Sequence, residues 1–241
     1  MVRGIGSFRD WFRGYESNYV VIGGTACDLL MGEVGEEFRA TKDIDMVLIV
    51  EALNAEFGSR IWEYVKEAGY DQRLKSSSAP EYYRFINPKS PEYPAMIELF
   101  SRRVEGITLP PDTTLTPLPI DDEISSLSAI LLDDEYYAFL RAGATMSGGI
   151  PVLGAAHLIP FKAKAWLNLT AQKARGGQVQ SRHIRKHKND IIRLSALLSQ
   201  DMRMVLPKPI VDDLAMFLAR VGDTDGFARI VAVYDLQDSL L

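Results

Sequence analysis

Two aspartates one residue apart, Asp43 and Asp45, stand at the head of the apolar run Met46-Val47-Leu48-Ile49-Val50. Alternate residues of a strand point to the same face, so the two carboxylates can share one hard cation. Mg²⁺ favours one or two protein carboxylates together with substrate phosphates, so a cation held this way can grip a nucleoside triphosphate. Upstream, the apolar run Tyr19-Val20-Val21-Ile22 ends in Gly23-Gly24. Two glycines let the backbone approach phosphates closely and donate N–H groups to them. Thr25 follows directly and can add a hydroxyl to that cradle. Each motif has a plainer reading, a solvated turn for Asp-x-Asp and a tight turn for Gly-Gly. Their succession within one short stretch favours the chemical one, because a carboxylate at the mouth of an apolar strand costs stability unless something pairs with it. The glycines are not the dinucleotide-binding fingerprint, since no third glycine follows at the required distance.

Further along, Glu98 interrupts Ala95-Met96-Ile97-Glu98-Leu99-Phe100 where an apolar residue is expected. It is either the third carboxylate that would let two ions serve an in-line displacement at phosphorus, or a solvent-facing residue of an alternating strand. Lys162 and Lys164 lie in Pro160-Phe161-Lys162-Ala163-Lys164-Ala165-Trp166, with Pro160 expected in the first turn of a helix. Two residues apart on a helix they cannot share a face, so one is expected to point inward, where its ammonium can meet triphosphate charge. Asp190 shares a helix face with Lys186 at i,i+4. That is either an ordinary ion pair or a positioned base or lysine-orienting carboxylate. His183 and His187 also stand at i,i+4, but no third zinc ligand accompanies them.

Elements must position these groups. The 241 residues are 47% hydrophobic and 24% charged, which is ordinary globular composition. No secretory leader opens the chain and no apolar run approaches the ~20 residues of a membrane span, so the expected compartment is the cytoplasm with no membrane partner. The single cysteine, Cys27, excludes a disulfide framework and reads as a buried small residue. A net charge of −5 argues against a general nucleic-acid coat. Residues 172–193 nevertheless concentrate Lys173, Arg175, Arg182, Arg185, Lys186, Lys188 and Arg193 against Asp190 alone, a pattern suited to local phosphate or RNA contact.

Periodicity predicts helices over 7–15, 25–31 and 54–68, the last closed by Gly69, and strands over 19–22, 44–50, 82–86 and 95–100. Residues 109–119 read as a loop, and 127–132 and 136–142 as further strands. Past Gly154 only helices are expected, over 157–175, 181–199, 208–221 and 226–236. Mixed elements followed by helices alone predict an α+β protein, with a mixed-sheet domain over 1–153 and a helical domain over 154–241.

Val21-Ile22-Gly23-Gly24-Thr25-Ala26 followed by Arg39-Ala40-Thr41-Lys42-Asp43-Ile44-Asp45 resembles the opening motifs of AbiEii-type nucleotidyltransferases of the DNA polymerase β-like superfamily. That group includes toxins of toxin–antitoxin and phage-defence pairs. Lys162 falls where the family has its helix lysine, and Asp190 where it has an aspartate after a basic residue. Arg193 stands where the family more often has a second aspartate. The resemblance spans 19–198 in ordered motifs. It implies a nucleotidyltransferase-like mixed sheet with flanking helices and Mg²⁺- or Mn²⁺-dependent transfer of a nucleotide from an NTP. It further implies metal at Asp43 and Asp45, phosphate contacts from Gly23, Gly24, Thr25 and Thr41, a nucleotide contact from Lys162, and Asp190 as acid or base. RNA, tRNA included, is the expected acceptor, and an antitoxin protein the expected partner. The rivals are a small-molecule nucleotidyltransferase, whose cationic acceptor would use Asp121-Asp122-Glu123 or Asp133-Asp134-Glu135, and a non-catalytic NTP-binding module.

Overall fold

The computed structural model describes residues 2–74, 82–101, 130–131, 133–222 and 227–236. They group into two compact units. One is drawn from Met1–Ile120 and Ala144–Leu153, the other from Asp121–Gly143 and Gly154–Leu241.

The first unit is built on one mixed sheet. Its strands are β1 (Tyr19–Ile22), β2 (Asp43–Leu48), β3 (Asp71–Leu74), β4 (Tyr82–Ile86), β5 (Met96–Phe100), β6 (Ala144–Ser147) and β7 (Ile150–Leu153). They lie in the order β3-β4-β5-β2-β1-β7-β6. β2 runs antiparallel to β1 and parallel to β5, while β1 runs parallel to β7. β1 is buried at all four positions, as its continuous Tyr-Val-Val-Ile run requires.

Among the described residues, three α-helices belong to this unit: α1 (Ile5–Trp11), α2 (Gly23–Glu33) and α3 (Ala55–Ala68). α3 forms where expected, and each end has a local cause. The side chain of Asn54 accepts the Phe57 N–H at 2.8 Å, and Gly69 closes the helix with φ +62°. Its apolar face meets one side of the sheet. Trp62 stands edge-on to Tyr83 and Phe85, and Phe57 stacks on Tyr19. Phe8 and Phe12 of the α1 region join that aromatic layer against Tyr19 and Tyr64. The other side of β2 is thereby left to its odd-numbered residues Asp43, Asp45 and Val47.

The second unit is helical. Its described helices are α4 (Asp134–Ala142), α5 (Ala155–Ala174), α6 (Ser181–Ser195), α7 (Lys208–Val221) and α8 (Phe227–Val233). The α+β class expected from the sequence is therefore found, with four corrections.

The strand expected over 136–142 is α4. Its aromatic residues suggest a strand, but Asp133 accepts the Glu135 and Tyr136 N–H groups at 3.0 and 3.1 Å and starts a helix. Tyr136, Tyr137, Phe139 and Leu140 then bury one helical face. The strand expected over 127–132 falls mostly outside the described residues, and Ile130 and Leu131 are helical. The loop 109–119 and the cluster Asp121-Asp122-Glu123 also lie outside them.

The third correction is the hairpin β6–β7, in a stretch to which the sequence assigned no element. Gly148 and Gly149 have φ +56° and +80° between the paired Ser147 and Ile150. Both central residues of this two-residue turn need positive φ, which Gly-Gly supplies without strain.

The fourth correction concerns Pro160, which lies inside α5 rather than in its first turn. A proline there leaves the carbonyl four residues back, that of Ala156, without its helical N–H. The buried Tyr234 hydroxyl donates to that carbonyl at 2.5 Å and satisfies it. Burial drives the Tyr234 phenol well above its ordinary range, so it stays a donor.

Candidate metal and phosphate site

Asp43 and Asp45 sit at the first and third positions of β2, half-buried, on the face away from α3. In the parallel pairing of β2 with β5, Asp45 lies opposite Glu98. In the antiparallel pairing of β5 with β4, Glu98 lies opposite Arg84. A row across three strands therefore reads Asp45, Glu98, Arg84, and register alone puts all three on one face. Of the two readings left open for Glu98, the solvent-facing one is overturned: the side chain is 8% exposed.

One oxygen from each of Asp43, Asp45 and Glu98 comes within 4.8 Å of the others. Among the described residues this is the group of three metal-capable side chains that converges. Like charges at such distances repel by on the order of a few kcal/mol per pair at an effective dielectric constant of ~20. Arg84 offsets part of this, its Nε and Nη2 both lying 2.6 Å from Glu98 Oε1. Oδ1 of Asp43 is also doubly held, accepting the Thr41 hydroxyl at 3.2 Å and the Lys42 N–H at 3.1 Å.

Gly23 belongs to the same cluster. It starts α2 directly after β1, with φ +69°, and Ile22 before it pairs with Asp45. A Cβ on Gly23 would sit 1.7 Å from Asp45 Oδ2. The glycine thus serves twice, allowing the left-handed turn and vacating the space the carboxylate fills. On Gly24 a Cβ would meet Thr41 Oγ1 at 2.7 Å and Arg39 Nη2 at 3.3 Å. Arg39, Thr41 and the two glycines are thus neighbours at the positive end of α2, where backbone N–H groups suit anions.

Thr25 has a different place from the one expected: it is fully buried and its hydroxyl donates to the Asp43 carbonyl, tying α2 to β2. Cys27 is buried as expected, with Sγ 3.1 Å from the Gly23 carbonyl. The functional residues that sequence reasoning missed are Arg84 and, as more than a motif letter, Arg39. An arginine opposite the lone acid of an adjacent apolar strand is a readable signal once the strands are paired.

The site fits a divalent cation by its chemistry. Three carboxylate oxygens are the hard donors Mg²⁺ and Mn²⁺ take, and Gly23 keeps the approach to Asp45 clear. We expect Gly23→Ala to lose about 1–3 kcal/mol of stability through strain at positive φ, and to displace the Asp45 carboxylate. Thermal melts paired with Mn²⁺ binding check this, both falling together.

In the second unit, Lys162 and Asp190 meet. Nζ lies 2.7 Å from Oδ2, with the side chains only 5% and 1% exposed. The structure brings together two residues singled out separately, and Asp190 takes Lys162 of α5 as a partner from across the helix pair. Lys164 points elsewhere, as two-residue spacing demands, to Asp213 of α7 at 2.8 Å. The Tyr136 hydroxyl also donates to Asp213, and burial together with the Asp213 charge pushes its phenol far above the ordinary range. Asp133, Asp134 and Glu135 are exposed at the start of α4.

Fold and site define an α+β protein with an acidic cluster on a mixed sheet, beside a glycine-started helix. No family model and no curated protein matches the chain. The solved structures that resemble it include the following two. One is an antigenic nucleotidyltransferase-like protein from Paracoccidioides brasiliensis, at 15% identity and a TM-score of 0.49, covering 95% of this chain and 91% of that one. The other is the antibiotic-resistance factor ANT(2'')-Ia, at 10% identity and a TM-score of 0.43, covering 90% and 91%.

Proposed function

We propose that this protein is a divalent-metal-dependent nucleotidyltransferase that moves an NMP from an NTP to an RNA acceptor. One observation carries the reading: Asp43, Asp45 and Glu98 converge from adjacent strands beside the Gly23-Gly24 start of α2. A carboxylate cluster next to an anion-favouring helix terminus is the pairing that a metal–triphosphate complex requires.

In the reaction, an acceptor hydroxyl attacks the α-phosphorus, the bond to the β-phosphate oxygen breaks, and pyrophosphate leaves. The ion, when bound, supplies Lewis-acid polarisation of the phosphate and neutralises charge that develops on it. Asp43 and Asp45 would hold the ion from the centre of the sheet, and Glu98 would complete the set. Backbone N–H groups of Gly23 and Gly24, with the Arg39 guanidinium, orient the phosphates for in-line attack, while the Thr41 hydroxyl holds Asp43 beside them. Asp190 orients Lys162 through the buried pair.

The RNA assignment rests on α6. Arg182, Arg185, Asn189 and Arg193 are exposed at three- and four-residue intervals, so they form one stripe with no carboxylate in it. Such a stripe suits a phosphate backbone. Reversing Arg182 and Arg185 together to glutamate is expected to weaken RNA binding and flatten its dependence on salt by about two units of the log–log slope. Filter binding across a KCl series reads this, with Mn²⁺ binding unchanged. The ordered motifs from 19 to 198 further support a cytoplasmic toxin of the AbiEii type with a cognate antitoxin protein.

The deciding experiment incubates the protein with Mg²⁺, each labelled NTP and total bacterial RNA, beside Asp45→Ala. Label in a discrete RNA band, absent from the variant, supports the reading. Label in a small-molecule acceptor instead would move the assignment to that class. Asp45-dependent NTP binding without transfer would leave a binding module.

A further inference from the structure

Thr25 is the third residue of α2 and is fully buried, among Gly24, Ala26 and Cys27, which are buried too. An apolar side chain would serve there for packing alone. A hydroxyl taken out of water costs stability unless it is hydrogen-bonded. In a helix its ordinary partner is the carbonyl one turn back. Here it donates instead to the carbonyl of Asp43, on β2. The register of β1 with β2 ends at the pair Ile22–Asp45, two residues short of Asp43, because β1 gives way to α2 at Gly23. Thr25 spans that gap with its side chain. One hydrogen bond thus joins the residue after the two cradle glycines to the backbone of a metal-capable residue. Thr41 makes a second link of this kind. It donates to Asp43 Oδ1 at 3.2 Å and lies against Gly24, where a Cβ would meet its Oγ1 at 2.7 Å.

We infer that Thr25 is a positioning residue whose hydroxyl sets the spacing between the phosphate-facing start of α2 and the carboxylates of β2. The inference rests on the nucleotidyltransferase reading and gives Thr25 an indirect part in it, in place of a direct phosphate contact. Loss of the hydroxyl leaves each half of the site with its own groups and spoils their alignment, which is where a small misplacement is costly.

The test deletes the hydroxyl at constant packing. Thr25→Val keeps the volume and loses the hydroxyl, while Thr25→Ser keeps the hydroxyl and loses the methyl group. Thr25→Ala compared with Thr25→Ser repeats the deletion at smaller volume. On the full chain, Mn²⁺ is titrated by the loss of its free-ion electron paramagnetic resonance signal, and Mn²⁺–tripolyphosphate by calorimetry. Near-UV circular dichroism verifies that each variant is folded. The wild type is expected to bind both probes, and Asp45→Asn neither. Thr25→Val should bind Mn²⁺ as the wild type does and Mn²⁺–tripolyphosphate about tenfold more weakly. Thr25→Ser should match the wild type with both probes, although its melting temperature falls with the lost methyl group. Thr25→Val holding the complex at wild-type affinity would overturn the inference, and so would Thr25→Ser binding it as weakly as Thr25→Val. Mn²⁺ affinity falling in step would mean that the bond serves Asp43 alone, and would overturn it as well. Should Thr25→Val not fold, equal affinities of Thr25→Ala and Thr25→Ser for the complex would overturn it. Each of these leaves the metal-dependent reading standing, whereas no Asp45-dependent binding by the wild type would remove both.

Discussion

On the proposed reading, Asp45→Asn is expected to abolish nucleotidyl transfer, lowering the rate by about a thousandfold or more, because it removes the central carboxylate of the cluster. The substitution keeps the volume of the side chain and its place against Gly23, so the fold survives it. It also removes one of three mutually repelling carboxylates, and the ion-free variant should melt at or above the temperature of the wild type. Single-turnover label transfer and a thermal melt on the same preparation check the two halves. Lost activity with a raised melting temperature is the signature of a residue kept for chemistry. Lost activity with a lowered one would mean that Asp45 only holds β1, β2 and α2 together.

The second large effect lies in stability. Lys162→Met removes the ammonium that lies 2.7 Å from the Asp190 carboxylate, itself 1% exposed, and is expected to cost about 3–5 kcal/mol. Adding Asp190→Leu should restore most of that loss, because an apolar pair of similar volume escapes the desolvation penalty. Urea unfolding of the two single variants and the double variant measures the coupling. The restored double variant then separates two roles for the pair. If it is folded and inactive, the pair is needed for activity as well as for stability; if it is folded and active, the pair only joins α5 to α6.

Much of the site was legible because its residues come in short-range order. Gly23-Gly24 and Asp43-x-Asp45 are each set within one strand–helix or loop–strand junction, and their spacing speaks for itself. Glu98 was readable as an acid in an apolar strand. Its burial was not, since that depends on β2 and β5 running parallel in the register that puts it opposite Asp45. Arg84 could not be found at all without a second pairing, between β4 and β5. Asp190 illustrates the same limit in helices. Sequence offers Lys186 at i,i+4, while Lys162 comes only with the packing of α6 on α5. The helices past Gly154 were readable from period alone. α4 was not, because its aromatic residues favour strands and the Asp133 cap that overrules them is a single side chain. Thr25 shows that adjacency to a motif does not fix a direction, since its hydroxyl turns inward to the backbone.

The order in which strands enter the sheet has a consequence for how the molecule is made. β1 is finished by residue 22, yet the neighbour on its far edge, β7, is not complete until residue 153. At ribosomal speeds of about 5–20 residues per second, that gap lasts on the order of ten seconds. Through that interval one edge of a buried apolar strand has no partner, which is the circumstance in which nascent chains aggregate. The intervening residues 121–143 belong to the other unit, so the two units are threaded through each other along the gene. A fragment cut after residue 120 would carry Asp43, Asp45 and Glu98 but not the hairpin that closes β1, and would not be expected to persist as a soluble piece. Dissection of this protein by truncation is better replaced by permutation, with new ends placed where both units stay whole.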